Sequence, residues 1–156
     1  MRSTASPARQ IVASSDIATT TTVAIECMAG QGFVVRSAPG ALPVVLEYGT
    51  AMTGLLGGLG LGILPGKVGK HGFAVVDASE EAGATTLTVA HVLGCRVNVP
   101  VLAAIAEITA SLRGAGALVD AGVPLSATDL PLDSPGHPHT FTRLGYVSVA
   151  GRWLTT

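Results

Sequence analysis

The sequence predicts a mainly β, α+β fold. The expected architecture is a small antiparallel β-sandwich or barrel-like domain with one amphipathic α-helix and an extended N-terminal arm. Three observations lead there. Residues 86–99 alternate in sustained fashion, the period of a half-buried strand. Only residues 101–113 break that period for helical spacing. Residues 1–22 are dominated by Ser, Thr and Ala, a composition that buries little apolar surface. A chain of 156 residues suggests one domain, so the expected division is an arm over 1–22 and a single β-rich domain over 23–156.

Taken in order, the arm closes with four threonines, Thr19, Thr20, Thr21 and Thr22. Thr favours strands, so the arm is expected to pair with a neighbour's sheet edge. "TVAIECM" alternates Val23, Ile25 and Cys27 against Ala24 and Glu26 and predicts a short strand. "GFVVRSAPG" and "ALPVVLEYG" predict two more, split by a Pro-Gly turn. "GLLGGLGLGILPGKVGKHG", residues 54–72, carries eight glycines and is read as a tight-turning spacer that lets backbones approach. Its Leu55, Leu56, Leu59 and Leu61 are expected to be buried, within the domain or against another subunit. "FAVVD" is the next strand, "ASEEAGA" a polar connection, and Thr86–Val99 a long strand with a bend near Gly94. In 101–113, Leu102, Ile105, Ile108 or Thr109, and Leu112 form an apolar stripe; Pro100 opens the run and Gly114 ends it. Residues 114–140 hold four prolines and read as surface loop with a possible strand at 117–119. "FTRLGYVSVAGRWLTT" predicts a terminal strand that turns at Gly151.

Composition narrows the function classes. Charged residues are 12%, against about 25% in ordinary domains, while apolar residues are 48% and aromatics only 4%. Low charge is a property of the cores of subunit interfaces, so much of the surface is expected to be covered by partners. The nine Lys and Arg are scattered and the net charge is −1, which argues against nucleic acid as a partner. Cys27 and Cys95 allow one bridge at most and read as two small buried thiols. The first residues lack the apolar core of a secretory signal.

No motif declares a reaction. Gly66-Lys67 has Leu61 and Val68 where a phosphate loop needs Gly and a hydroxyl, and Gly69-Lys70 has Leu64 and His71 there. The dinucleotide fingerprint fails at Ile63 and Pro65. Residues 48–66 form a charge-free run of nineteen, close to the length of a membrane span, but seven are Gly and the neighbours are strand-patterned. His137 and His139 give two ligands where zinc needs three or four. His91 and Cys95 lie four apart on a strand, roughly 13 Å by strand rise, beyond hydrogen-bond reach. No catalytic residue, metal or cofactor is expected.

A Thr/Ser-rich start, a β-rich body of small residues, long Pro/Gly loops and low charge together resemble the small bacteriophage head proteins that decorate or cement capsids. "GFAVVDASEEAGATTLTVAHVLGCRVNVP" is similar to a theme in that family: glycine, apolar strand, acidic turn, long Thr/Val strand. "TRLGYVSVAG" resembles their closing strand. The resemblance implies a structural protein of the virion that binds a major capsid protein or other copies of itself, usually as a trimer, with the arm adding a strand to a capsid-protein edge. Two other readings stand beside it. One is a small bacterial enzyme or ligand-binding module, cytoplasmic, with a pocket under the 120–140 loop. The other is a membrane-anchored protein through 48–66, the less favoured because of its glycines.

Overall fold

The computed structural model describes residues 6–49, 70–143, 147–149 and 152–154. Strand β1 (Pro7–Ala13) leads through a short bend to helix α1 (Ile17–Gly30). Strands β2 (Phe33–Val35), β3 (Val44–Tyr48), β4 (His71–Glu81) and β5 (Ala84–Cys95) follow as an antiparallel run. Helix α2 (Asn98–Gly114) then crosses back to β6 (Leu118–Asp120) and β7 (Leu125–Ser126). A 3-10 turn at Ala127–Asp129, helix α3 (Pro138–Arg143) and the small hairpin of β8 (Val147–Val149) and β9 (Arg152–Leu154) complete the described chain. The main sheet has seven strands in the order β2-β3-β4-β5-β1-β6, with β7 also on β1. It is antiparallel throughout and not closed into a barrel.

The α+β, mostly antiparallel class is the one the alternation predicts. The arm is not. Residues 7–13 form an interior strand, with Ala8–Ala13 in register against Ala90–Thr85 of β5 and β6 on the other side. The reason is legible in hindsight: Ile11 and Ala13 face one side and Ala8 the other, all buried. Residues 17–22 belong to α1. Asp16 caps it, its carboxylate accepting from the Thr19 backbone N–H at 2.7 Å, which satisfies one of the donors a helix start leaves open. Val23–Cys27 is likewise the second half of α1, not a strand. Thr20, Thr21, Ala24 and Met28 are its buried residues, a spacing of three and four that only a helix brings to one face. β-branched Thr and Val lower helix propensity slightly, but burial of this stripe decides.

Two cores form, one on each face of the sheet. On the first, α1 and α2 pack side by side over Ile11, Leu46, Val76, Leu87 and Val89. The α2 stripe is Val101, Ala104, Ile105, Ile108 and Leu112; Leu102, expected to lie on it, is exposed. On the second face, residues 125–143 cover Val45, Phe73, Val75, Ala90 and Val92, with Phe141 stacked on Phe73 at a centroid distance of 6.0 Å. The expected loop over 114–140 therefore works as a cover, held by β7 and by Leu130 and Phe141.

The β4–β5 hairpin is longer than the sequence suggests at its turn and shorter at its far end. The "SEE" of the polar connection continues β4, and the turn is Ala82–Gly83 alone, with φ of 52° and 79°. Two successive positive φ values are the two-residue turn that matches strand twist. At the other end β5 stops at Cys95, and α2 begins at Asn98. Gly94 there has φ 103°, and a Cβ on it would lie 2.2 Å from the His71 carbonyl and 2.3 Å from Gly72 Cα. Only glycine fits that crossing.

Candidate functional site

Strand β3 reads Val44, Val45, Leu46, Glu47, Tyr48, and every one is buried. Glu47 is 1% exposed, on the same face as Val45 and in register with Phe73. A carboxylate so placed is stable only when its oxygens are partnered. The Arg36 Nε–H, just beyond β2, donates to Oε2 at 3.1 Å, and the His71 Nε2 stands 3.0 Å from Oε1. The His71 ring also meets Phe73 edge-on at 5.2 Å. Three elements thus converge on one buried acid where β3 ends and β4 begins. Both oxygens are engaged, so the cluster ties the β2, β3 and β4 ends together. Sequence reasoning passed over it. The signal was there: Glu47 is the one charge inside an otherwise apolar strand run.

A second candidate is the groove between α1 and α2, an open cleft of about 370 Å³ lined by Glu26, Cys27, Glu107, Ala110 and Ser111. Cys27 is a free thiol, its Sγ 3.9 Å from the Ser111 hydroxyl. Burial pushes that thiol above its ordinary range; the Ser111 hydroxyl pulls against this, and Glu107 and Glu26 push the same way. Such a thiol is a poor nucleophile at neutral pH. Among the described residues, no group of three His, Cys, Asp or Glu is placed to hold a metal ion. The third candidate is a cleft of about 320 Å³ on the second face, between Gln10, Val12 and Thr86 on the strands and Asp120, Gly122 and Leu125 opposite. Gly122 closes against the Gln10 carbonyl at a distance that admits no Cβ.

The residues expected to interact with partners are only partly in view. Thr19 to Thr22 lie on the first turns of α1, not on an arm. Thr20 is buried with its hydroxyl 2.7 Å from that of Ser15, and Thr21 is buried beside it. Thr19 and Thr22 face solvent, and the Thr22 hydroxyl donates back to the Ala18 carbonyl at 2.8 Å. Leu55, Leu56, Leu59 and Leu61 lie outside the described residues. His137 and His139 sit at the start of α3, with ring centroids 6.4 Å apart. His91 is buried on β5, its Nε2 3.0 Å from the Leu93 carbonyl.

Of the 48–66 run, Tyr48 is the last residue of β3 and pairs directly with Gly72 of β4, and residues 50–66 lie outside the described residues. Among the described residues, no helix is long and apolar enough to cross a membrane.

Comparison with family models, with curated proteins and with solved structures finds no match to this chain.

Proposed function

We propose that this chain is a structural, assembly-forming protein that covers its exposed apolar side chains against other copies of itself or against a lattice such as a virion head. The observation that supports the reading is the number of large apolar side chains left in water on a surface with few charges. Val99 is 70% exposed, Val119 62% and Leu93 48%, and Val34 and Val35 stand on β2, one of the edge strands of the main sheet. Apolar side chains exposed on a surface this poor in charge are the groups a partner's contact would cover. The Glu47 cluster fits this reading as a brace, since each carboxylate oxygen already has a partner. The route changes from the one the sequence suggests. Residues 7–22 are built into the domain, so they are not free to add a strand to a neighbour. Light scattering and negative-stain microscopy of material from the native source test the proposal. A stable monomer at all concentrations, with no particle in native extracts, overturns it.

A second reading, a ligand-binding module, has the cleft between Thr86 and Asp120 in its favour, close to where the pocket under the 120–140 loop was expected. A small molecule retained in native mass spectra and lost on Thr86→Trp would favour it.

A further inference from the structure

A cleft of about 290 Å³ lies between helix α1 and the start of β3. Ala18, Thr21 and Ile25 form one wall, at the three-and-four spacing that puts side chains on one face of a helix. Ala41 and Leu42, from the connection between β2 and β3, form the other together with Val44. The walls are mostly carbon, and among the described residues no charged side chain lines the cleft. It lies on the helix-covered face of the sheet, opposite the cleft between Thr86 and Asp120.

Thr21 is the odd member of that wall. It is 9% exposed, and its hydroxyl oxygen is buried without a hydrogen-bond partner. Its neighbours are served. The Thr20 hydroxyl bonds that of Ser15 at 2.7 Å, and the Thr22 hydroxyl donates to the Ala18 carbonyl at 2.8 Å. A helical Thr commonly satisfies itself in this second way, on the carbonyl one turn back; Thr21 does not. A buried hydroxyl left unpaired destabilises the fold, and a partner held in the cleft would remove that cost.

The walls say what kind of partner. Water fills the role poorly, because an ordered water needs several polar partners and walls of carbon offer few. An ionised ligand would lose its hydration there without gaining an opposite charge. An apolar body with one polar group matches both the carbon and the lone hydroxyl. Size follows from volume: an apolar cavity of about 150 Å³ takes up benzene, so one of about 290 Å³ has room for roughly ten to twelve heavy atoms.

We propose that this cleft binds a small neutral molecule, about the size of two fused aromatic rings, whose single hydrogen-bonding group meets the Thr21 hydroxyl. The site is separate from the assembly reading above, and neither depends on the other.

Titration of the full chain with α-naphthol, naphthalene and α-naphthoate, followed by amide chemical shifts, tests it. The three probes share a ring system and differ in the polar group: a neutral hydroxyl, none, and a charge. Naphthol should shift the amides of Ala18, Thr21, Ile25, Ala41 and Leu42. Naphthalene should bind about fivefold more weakly, the worth of one hydrogen bond, and naphthoate at least about tenfold more weakly. Thr21→Val keeps the branched shape and removes the hydroxyl. It should bring naphthol down to the affinity of naphthalene and leave naphthalene within about twofold of the parent. Ala41→Trp, at an exposed loop position, places an indole across the cleft and should abolish binding of both. Circular dichroism confirms that each variant is folded. Without ligand, Thr21→Val should melt no lower than the parent, because it discards an unpaired buried hydroxyl. A melting temperature several degrees lower would show that the hydroxyl has a partner in the folded chain and overturns the proposal. So does the absence of saturable naphthol binding, shifts confined to residues outside the cleft, naphthol binding no tighter than naphthalene, or naphthol binding unchanged in either variant.

Discussion

Ile11→Ala separates a built-in strand from an arm. In an arm, Ile11 would be solvated when the protein is free, and its truncation would leave stability unchanged. In this fold Ile11 is 0% exposed and pairs with Leu87 in the middle of the sheet, inside the core beneath the two helices. The substitution removes three carbons. At about 0.8 kcal/mol for each buried methylene, the transfer loss is about 2.4 kcal/mol. The cavity left in a core pinned by strands on both sides adds to that, giving about 3–4 kcal/mol in all. Urea unfolding followed by far-UV circular dichroism measures it, with the slope of the transition checked for constancy. Gln10→Ala, one residue away and exposed, is the control and should change stability by less than about 0.5 kcal/mol. A loss below about 1 kcal/mol for Ile11→Ala, or equal losses for both, would refute the placement of β1 inside the sheet.

Three further outcomes follow from the same geometry. Arg36→Ala should cost about 1–3 kcal/mol because it leaves one oxygen of the buried Glu47 without its donor. In the background of Glu47→Gln the same change should cost clearly less, and equal costs in a double-mutant cycle would contradict the pairing. Gly94→Ala should cost at least about 3 kcal/mol, from its positive φ and from a Cβ driven into backbone on the neighbouring strand; a melting temperature within a degree of the parent would contradict the crossing. Asp77→Asn should stabilise the protein at neutral pH. Burial raises the Asp77 carboxyl above its usual value, only partly opposed by a backbone hydrogen bond from Ala78. The folded state therefore holds that proton more tightly than the unfolded chain. The stability this contributes is complete below the ordinary carboxylate value of about 3.9 and is lost as pH rises through the raised folded value. The gain from Asp77→Asn should accordingly vanish at low pH, and a gain independent of pH would show another cause.

The sequence by itself determined the hairpin, the second helix and the class. From residue 86 onward a two-residue alternation follows the short apolar run "FAVVD", so a pair of strands fits, and from 101 to 113 apolar residues at helical spacing in an alanine-rich run predict a helix. Residues 7–30 were another matter. "TVAIECM" satisfies a strand's alternation and a helix's three-and-four spacing at once. What chose between them was the other side of the contact: Ala24 and Met28 bury against the same core as Ile105 and Ile108, some eighty residues further on. The arm failed for the same reason, since a short Ala-and-Ile segment gains burial only when β5 and β6 flank it. Glu47 shows the limit at a single residue. The sequence places a charge in an apolar strand, but whether that charge is tolerable depends on Arg36 and His71. Eleven and twenty-four positions separate them from Glu47 in the chain, and only the pairing of β2 and β4 with β3 brings them within about 3 Å. Local periods are written in neighbouring residues, whereas burial and charge pairing are properties of segments that meet only after folding.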